Sequence, residues 1–374
     1  MIRKVVSCSA VAALLLSGSH LQASVRVTGC VTTPLELNGA SIAAMPQHPR
    51  TVKVFGPQGD YRCSVDVTGA SLREILEKAV VSKATDDGFG RTIDTYVMVK
   101  GSAGERALFS YGEIFMTGDP AMFLLVDRMR LRISGHHESL AGTGWEPSPW
   151  LDAPGREKPR FDGCAGCHDG TNQLKLSMPN GICLVPTRDR VGRRFIRDVT
   201  EVMVCQSGVK VAGARPKGEE MWVDRANLIL PDNRSVTIGE DATSEASPVE
   251  WQDATVGMGR GYHGDHTWSG VSVRSLLERA MGSAPDYGTL AVLVTASDGY
   301  RSLYSGGEIA YSPLGETLML ASTEDAKPLA RDSGRFRTVV KGDFFVDRSV
   351  RSVQDIRVIV APATCEAAGQ SEKH

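Results

Sequence analysis

The chain has 374 residues, of which 41% are hydrophobic and 23% are charged. This composition provides material for two globular domains and excludes a largely disordered chain. The formal net charge is -2, from 42 Lys and Arg against 44 Asp and Glu. This near-equality of positive and negative charges gives no electrostatic reason to expect a nucleic-acid partner, and any basic patch must be local.

The first 23 residues have the pattern of a cleaved secretory signal peptide. Arg3 and Lys4 supply the positive start, residues 5–16 form an apolar run, and a cleavage site follows at Ala23. About 12 apolar residues are too few to span a bilayer. We therefore expect the mature chain to lie in the periplasm, where disulfides and haem thioethers persist.

One alternative for this region is a lipoprotein, because residues 27–30 (VTGC) loosely resemble a lipobox ending in Cys30. The distance of Cys30 from the apolar run disfavours it. No later stretch is long and apolar enough to predict a transmembrane helix.

An internal repeat organises the rest of the chain. Residues 68–79 (TGASLREILEKA) match residues 269–280 (SGVSVRSLLERA) at an offset of 201. Both place apolar residues at helical spacing behind a serine, which predicts a short N-capped amphipathic helix. Residues 104–114 match 299–309 at an offset of 195, so that Glu113 corresponds to Glu308.

Four short β-branched runs bounded by glycines or charged turns predict strands. They are residues 96–100, 199–204, 291–295 and 353–360. Together with the two helices, they predict a mixed α/β fold of the α+β type in each repeat.

The first repeat contains an insertion. A third match, of residues 197–202 with 351–356, has an offset of only 154. The fall from 195 to 154 places about 41 extra residues between Ile114 and Arg197. Prolines and glycines make this stretch loop-like, and an added loop can introduce function without disturbing a core.

The insertion contains the motif Cys164-Ala165-Gly166-Cys167-His168. Two thiols at this spacing can add across both vinyl groups of a haem, with the following histidine as proximal iron ligand. The motif predicts covalent haem c on Cys164 and Cys167, with His168 on the iron. The alternatives are cysteines with a purely structural role, or a zinc site.

The zinc alternative would need Cys183 with His136 or His137 to complete four ligands. For the haem, the sixth iron ligand stays open between Met178, His136 and His137.

The remaining cysteines predict one disulfide. Cys183 opens one apolar run and Cys205 closes the next, so an antiparallel hairpin would bring them together. A Cys30–Cys63 bond is the second pairing considered. The turn between the runs holds several arginines, for which we expect a solvated face; a phosphate or an acidic partner is the alternative. They are Arg188, Arg190, Arg193 and Arg194.

A polar segment precedes the helix of the second repeat. It contains His263, Asp265 and His266. The expected structure is a polar loop, with a metal or anionic-ligand site as the alternative.

The order of these motifs resembles the oxidoreductase molybdopterin-binding domain of the sulfite oxidase type. Residues 27–29 and 211–213 resemble its opening strand, residues 68–72 and 268–273 its strand-to-helix turn, and residues 197–199 its closing strand. The resemblance implies two tandem domains. Their expected bounds are 24–206, with the inserted loop at about 135–180, and 207–362, followed by a tail at 363–374.

The same resemblance implies a molybdenum held by a pterin dithiolene and by one cysteine, about twelve residues before the glycine of the turn. Pro57 and Met258 occupy those positions here, and neither supplies a thiolate. Cys63 lies six residues before Gly69 and is expected to be structural. Molybdopterin is therefore not expected to be held in the usual way.

Three functions follow from these patterns. The first is a periplasmic electron-transfer protein with one c-type haem and a periplasmic redox partner protein. The second is a non-redox module that binds a ligand or partner in a degenerate pterin pocket. The third is a molybdenum-dependent oxidoreductase with the haem as electron outlet, so the sequence leaves open whether the chain is an enzyme.

Overall fold

A computed structural model describes residues 24–83, 88–131, 181–211, 215–240, 246–259, 261–282 and 285–362. Within these ranges the chain forms four β-sheets and five short α-helices. The predicted mixture of helices and strands is confirmed. The predicted signal peptide and the C-terminal tail lie outside the described residues.

The first half of the chain forms one five-stranded and one four-stranded sheet. The sheet orders are β2-β1-β9-β5-β6 and β3-β4-β7-β8. The elements are β1 Val25–Gly29, β2 Leu35–Leu37, α1 Gly39–Ala43, β3 Gln47–Phe55, β4 Tyr61–Ser71, α2 Leu72–Ala79, β5 Thr95–Gly101, β6 Arg106–Ser110, α3 Tyr111–Phe115, β7 Phe123–Leu131, β8 Cys183–Pro186 and β9 Val199–Gln206.

The second half repeats this arrangement and adds one short strand. Its sheet orders are β11-β10-β19-β14-β15 and β12-β13-β16-β17, with β18 also paired to β16. The elements are β10 Ala226–Ile229, β11 Ser235–Ile238, β12 Pro248–Gly257, β13 Gly261–Ser272, α4 Val273–Met281, β14 Leu290–Ala296, β15 Arg301–Ser305, α5 Gly306–Ala310, β16 Leu318–Glu324, β17 Lys327–Pro328, β18 Arg337–Val340 and β19 Val353–Val360.

The two halves correspond strand by strand in their sheet order. The register agrees as well. Cys183 of β8 pairs with Val126 of β7, and the residues equivalent to them by the repeat offsets of 154 and 195, Arg337 of β18 and Ala321 of β16, also pair. Each of the four predicted strands lies within an observed strand. The domain bounds at 206 and 207 stay a prediction.

The two predicted helices are confirmed as α2 and α4, each starting directly after a serine. The hydroxyl of Ser272 accepts a hydrogen bond from the backbone N–H of Ser275, at 3.1 Å, and caps α4 as expected. Ser71 differs, since its hydroxyl donates to the carbonyl oxygen of Pro120 at 2.5 Å and makes no cap bond. Ser71 therefore holds the N-cap position of α2, as expected, but the expected capping hydrogen bond is absent.

The halves pack through their five-stranded sheets. Alternate residues of a strand point to opposite faces, so on β5 Val97 and Val99 join the core of the first half, whereas Tyr96 and Met98 face the second half. Both faces of the central strands are therefore buried. The core between the halves includes Tyr96, Met98, Leu108, Met203, Ala291, Leu293 and Leu303.

The predicted hairpin joining Cys183 to Cys205 is wrong. Cys183 lies on β8 in the four-stranded sheet, and Cys205 lies on β9 inside the five-stranded sheet. The two apolar runs are strands, as expected, but their pattern alone does not tell which sheet each strand joins. The insertion of the first half connects β7 to β8, which are antiparallel neighbours in one sheet.

Candidate functional site

Each half buries one arginine among acidic groups where the halves meet. In the first half, Arg194 donates from Nε and Nη2 to the two carboxylate oxygens of Asp189, both at 2.8 Å. Its Nη1 donates to both oxygens of Glu113 at 2.9 Å and to the hydroxyl of Ser305, in the second half, at 3.2 Å. The arginine is 2% exposed, so these groups replace its hydration.

The second half contains the equivalent set, at the offsets of the sequence repeat. Arg348 donates from Nε and Nη2 to the carboxylate of Asp343, at 2.7 and 2.6 Å, and from Nη1 to Glu308 at 2.8 Å. Its Nη1 also lies 3.2 Å from the hydroxyl of Ser110 in the first half. Each arginine therefore reaches across to a serine of the other half. We call these eight residues the paired arginine network.

The network also fixes two helix starts. Ser110 and Ser305 are the N-caps of α3 and α5, and each forms a capping box with Glu113 or Glu308 respectively. The hydroxyl of Ser110 donates to Glu308 at 2.7 Å as well. The caps and the contact between halves thus share the same carboxylates, so a change in one disturbs the other.

Charge in the paired arginine network is unbalanced, because two guanidinium groups serve four carboxylates. Burial raises the pKa of Glu113 to about 7, with the nearby Glu308 adding to the rise and Arg194 opposing it. Burial likewise raises the pKa of Asp343 to about 6 against the opposing charge of Arg348. The pKa values of these two carboxyl groups therefore lie closer to neutral pH than their ordinary values.

The expectation that the arginines of the 188–194 turn are all solvated is wrong for Arg194. Arg188 does remain half-exposed, where it pairs with Asp119 at 2.9 Å. Arg194 can be buried because the carboxylates of Asp189 and Glu113 lie beside it and compensate its charge. The signal for it lay in the repeat, since Arg194 and Asp189 correspond to Arg348 and Asp343 at the offset of 154.

A cavity of about 610 Å³ opens beside the turn between β3 and β4. We call it the first cavity. Arginines line much of it, and Asp286 enters from the second half. The lining arginines are Arg62, Arg106, Arg193 and Arg197.

A second cavity of about 500 Å³ opens at the equivalent turn between β12 and β13. Several lining positions correspond by the repeat offsets: His263 replaces Arg62, and Arg351 corresponds to Arg197. Arg91 enters the second cavity from the first half, at the position equivalent to Asp286. Each cavity is therefore completed by the other half.

The segment with His263, Asp265 and His266 is not a loop, because it belongs to strand β13. Only His263 of the three lines the second cavity. His266 lies 3.1 Å from the carboxylates of Glu324 and Asp325, so it serves as a hydrogen-bonded surface group.

The residues at the expected molybdenum-ligand positions do not fit that metal. Pro57 lines the first cavity, and Met258 is exposed beside Gly257 and Gly259 of the second. Cys63 is fully buried in an apolar cluster with residues such as Val54, and burial raises the pKa of its thiol to about 11. Among the described residues, neither cavity is lined by a cysteine.

Both disulfides considered from the sequence are absent. Cys183 is a free, fully buried thiol, and Cys30 and Cys63 are free as well. Cys205 is disulfide-bonded, but not to Cys183. The predicted Cys183–Cys205 bond is wrong because it depended on a hairpin that does not form.

The haem motif and the three candidate sixth ligands all fall outside the described residues. They are Cys164, Cys167 and His168, together with Met178, His136 and His137. Within the ranges that the structure does describe, no group of three or more His, Cys, Asp or Glu is arranged to hold a metal ion. In the same ranges, no helix is long and apolar enough to cross a membrane.

The fold and site define a mixed α/β protein of two similar halves, joined by a buried ion network and carrying two equivalent cavities. No family model matches the sequence, and no curated protein matches it. Among solved structures, the sulfane dehydrogenase SoxCD from Paracoccus pantotrophus is similar at a TM-score of 0.31 and 9% identity. The alignment covers 88% of this chain and 77% of that chain.

Proposed function

We propose that the chain is an exported electron-transfer protein that carries one c-type haem. The observation that carries the proposal is the motif from Cys164 to His168, because its cysteine spacing and adjacent histidine supply the donor set of covalent haem attachment. The haem would be bound through Cys164 and Cys167, with His168 as proximal ligand. When bound, it would supply one-electron chemistry for exchange with a periplasmic redox partner protein.

The position of the motif supports this function. The connection that contains it joins two adjacent antiparallel strands, β7 and β8, whereas the second half makes the equivalent connection with about 41 fewer residues. A connection between the adjacent ends of two neighbouring strands can be lengthened at small cost to the stability of the fold. We propose that the two halves are tandem molybdopterin-binding-type domains and that the loop is an addition to them.

Three of the other cysteines do not compete with the motif for a haem. Cys63 and Cys183 are fully buried, and burial raises the pKa of each thiol, that of Cys63 to about 11 and that of Cys183 to about 12. Thiolates attack electrophiles far faster than thiols do, so both groups are unreactive near neutral pH. Cys205 is occupied by a disulfide.

The test is the absorption spectrum of denatured protein produced in a host with c-type haem maturation. The proposal predicts a haem band that remains with the chain, and its loss in Cys167→Ala. Cys63→Ala is the matched control, since it removes a buried thiol outside the loop and should keep the band. Wild-type protein without covalent haem would end the proposal.

A second candidate function is favoured by the two cavities. Volumes of about 610 and 500 Å³ lie in the range of small-molecule sites, and both have basic side chains in their walls. We propose that the chain alternatively, or additionally, binds a small anionic ligand in place of the pterin. Pterin and metal analysis of purified protein tests this, because stoichiometric molybdenum would instead favour the molybdenum oxidoreductase.

A further inference from the structure

Arg337 on β18 is a buried cation without an acidic partner. It is 7% exposed, and its Nε donates to the hydroxyl of Ser349 at 2.7 Å. Its guanidinium carbon lies 4.6 Å from the centre of the Trp268 ring. Within the described part of the chain, no carboxylate lies within ion-pair distance of Arg337, in contrast to Arg194 and Arg348, which have two each.

Such an arrangement is costly for the folded protein. Burial lowers the pKa of Arg337 to about 10, and the neighbouring charge of Arg351 adds to the decrease. The more distant charges of Glu324 and Asp332 oppose it only in part. A buried charge is normally paired, because removing it from water without compensation costs several kcal/mol. The cation–π contact with Trp268 offsets only part of that cost.

The two terminal nitrogens of Arg337 make no hydrogen bond to any described residue, and the side chain lines the second cavity. Nε is already bonded to Ser349, which fixes the plane of the guanidinium group. The remaining fork of N–H donors matches a carboxylate, which it can bind through two parallel hydrogen bonds.

The rest of the second cavity selects the kind of anion. Asp298, Asp332 and Asp347 line it beside the cations, and Asp347 pairs with Arg91 at 3.3 Å. These carboxylates disfavour a dianion such as sulfate or phosphate. Tyr300 adds an aromatic surface for an organic body.

We propose that the second cavity binds a small organic acid, whose carboxylate is held by Arg337. The site is particular to the second half, because the equivalent residues of the first half are Cys183 and Val67 in place of Arg337 and Trp268. The proposal deepens the second candidate function, since it names the ligand class, and it does not depend on the haem.

Acetate serves as the probe, and the thermal unfolding temperature is the readout. For wild-type protein, about 50 mM sodium acetate should raise that temperature by about 2 °C above sodium chloride at equal ionic strength. Arg337→Met should abolish this difference. Arg331→Met is the matched control, because Arg331 lies over Trp222 at 5.0 Å but is exposed and outside the cavity lining; the acetate effect should remain.

Arg337→Lys provides a second variant, since it keeps the charge and loses the fork; it should reduce the acetate effect to less than half. The proposal is overturned by an equal acetate effect in the Arg337 variants, by no acetate-specific effect in the wild type, or by a larger effect of phosphate. Haem absorbance is recorded on the same samples, so that a failure of acetate binding can be distinguished from a failure of haem attachment.

Discussion

The two halves have almost the same arrangement of strands and helices, but they differ in the residues around their cavities. Both build the same sheet orders and both place a serine, a glutamate, an aspartate and an arginine in the paired arginine network. Their cavities differ instead. His263 of the second cavity stands where the first has Arg62, and Arg337 lines the second cavity at the position equivalent to Cys183, which does not line the first. The residues that the halves share join them to each other, and the residues that differ lie around the two cavities.

The largest expected effect comes from removing an arginine of the shared network. Arg194→Met leaves Asp189 and Glu113 buried without their cation, so the free energy of unfolding should fall by about 4 kcal/mol. Arg348→Met should cost a similar amount, since Arg348 has the equivalent partners. Urea unfolding measures both, and the exposed control Arg331→Met should change stability by no more than about 0.5 kcal/mol.

Losses well below about 1 kcal/mol in both network variants would contradict the structural role assigned to the pair. Unequal losses would show instead that the two halves do not use the network equally.

The pH dependence of stability sharpens the same comparison. The pKa of Glu113 in the folded protein, about 7, lies above its ordinary value of 4.5, so the folded state holds more protons between these values. Its contribution is therefore present at acid pH and is lost as the pH rises toward 7.

Between pH 5 and pH 8, wild-type protein should lose about 2 kcal/mol more stability than Glu113→Gln, which keeps the hydrogen-bonding shape without titrating. Urea unfolding at the two pH values provides the comparison. Identical pH profiles for the two proteins would show that Glu113 stays ionised throughout.

A smaller effect is expected from the glycines that make room for the arginines. A Cβ on Gly112 would lie 2.0 Å from Cδ of Arg348, and one on Gly307 would lie 2.2 Å from Nε of Arg194. Gly112→Ala and Gly307→Ala should each cost about 1.5 kcal/mol by overpacking.

The control for these variants is Gly90→Ala, because an added Cβ there meets no atom within 4 Å. Its thermal unfolding temperature should stay close to that of the wild type. A loss in Gly90→Ala as large as in the other two would indicate a general effect of replacing glycine.

Part of the fold was predictable from sequence, because short β-branched runs and the repeated serine-led helices are local signals. The sheet to which each strand belongs was not predictable, since apolar runs such as those of β8 and β9 look the same whether the strands form a hairpin or join different sheets. The disulfide between Cys183 and Cys205 failed for this reason.

The paired arginine network shows a different limit. An arginine in a charged turn predicts exposure, and Arg194 is buried only because distant residues such as Glu113 and Ser305 are brought to it by the fold. The recurrence of Glu113 as Glu308 was visible, but its arginine partner lies 81 residues away in sequence. The lone Arg337 had no sequence signal at all, because the repeat has cysteine at the equivalent position.

The central claim is that the first half carries its redox group on an added loop. A chimera that replaces residues 132–182 with residues 327–336, the equivalent connection of the second half, tests it most directly. Produced beside wild-type protein in a haem-maturing host, the chimera should contain no covalent haem, whereas the wild type should contain one haem per chain. The chimera should also keep the acetate response of the second cavity, which reports that it has folded. Covalent haem in the chimera at the wild-type level would contradict the account.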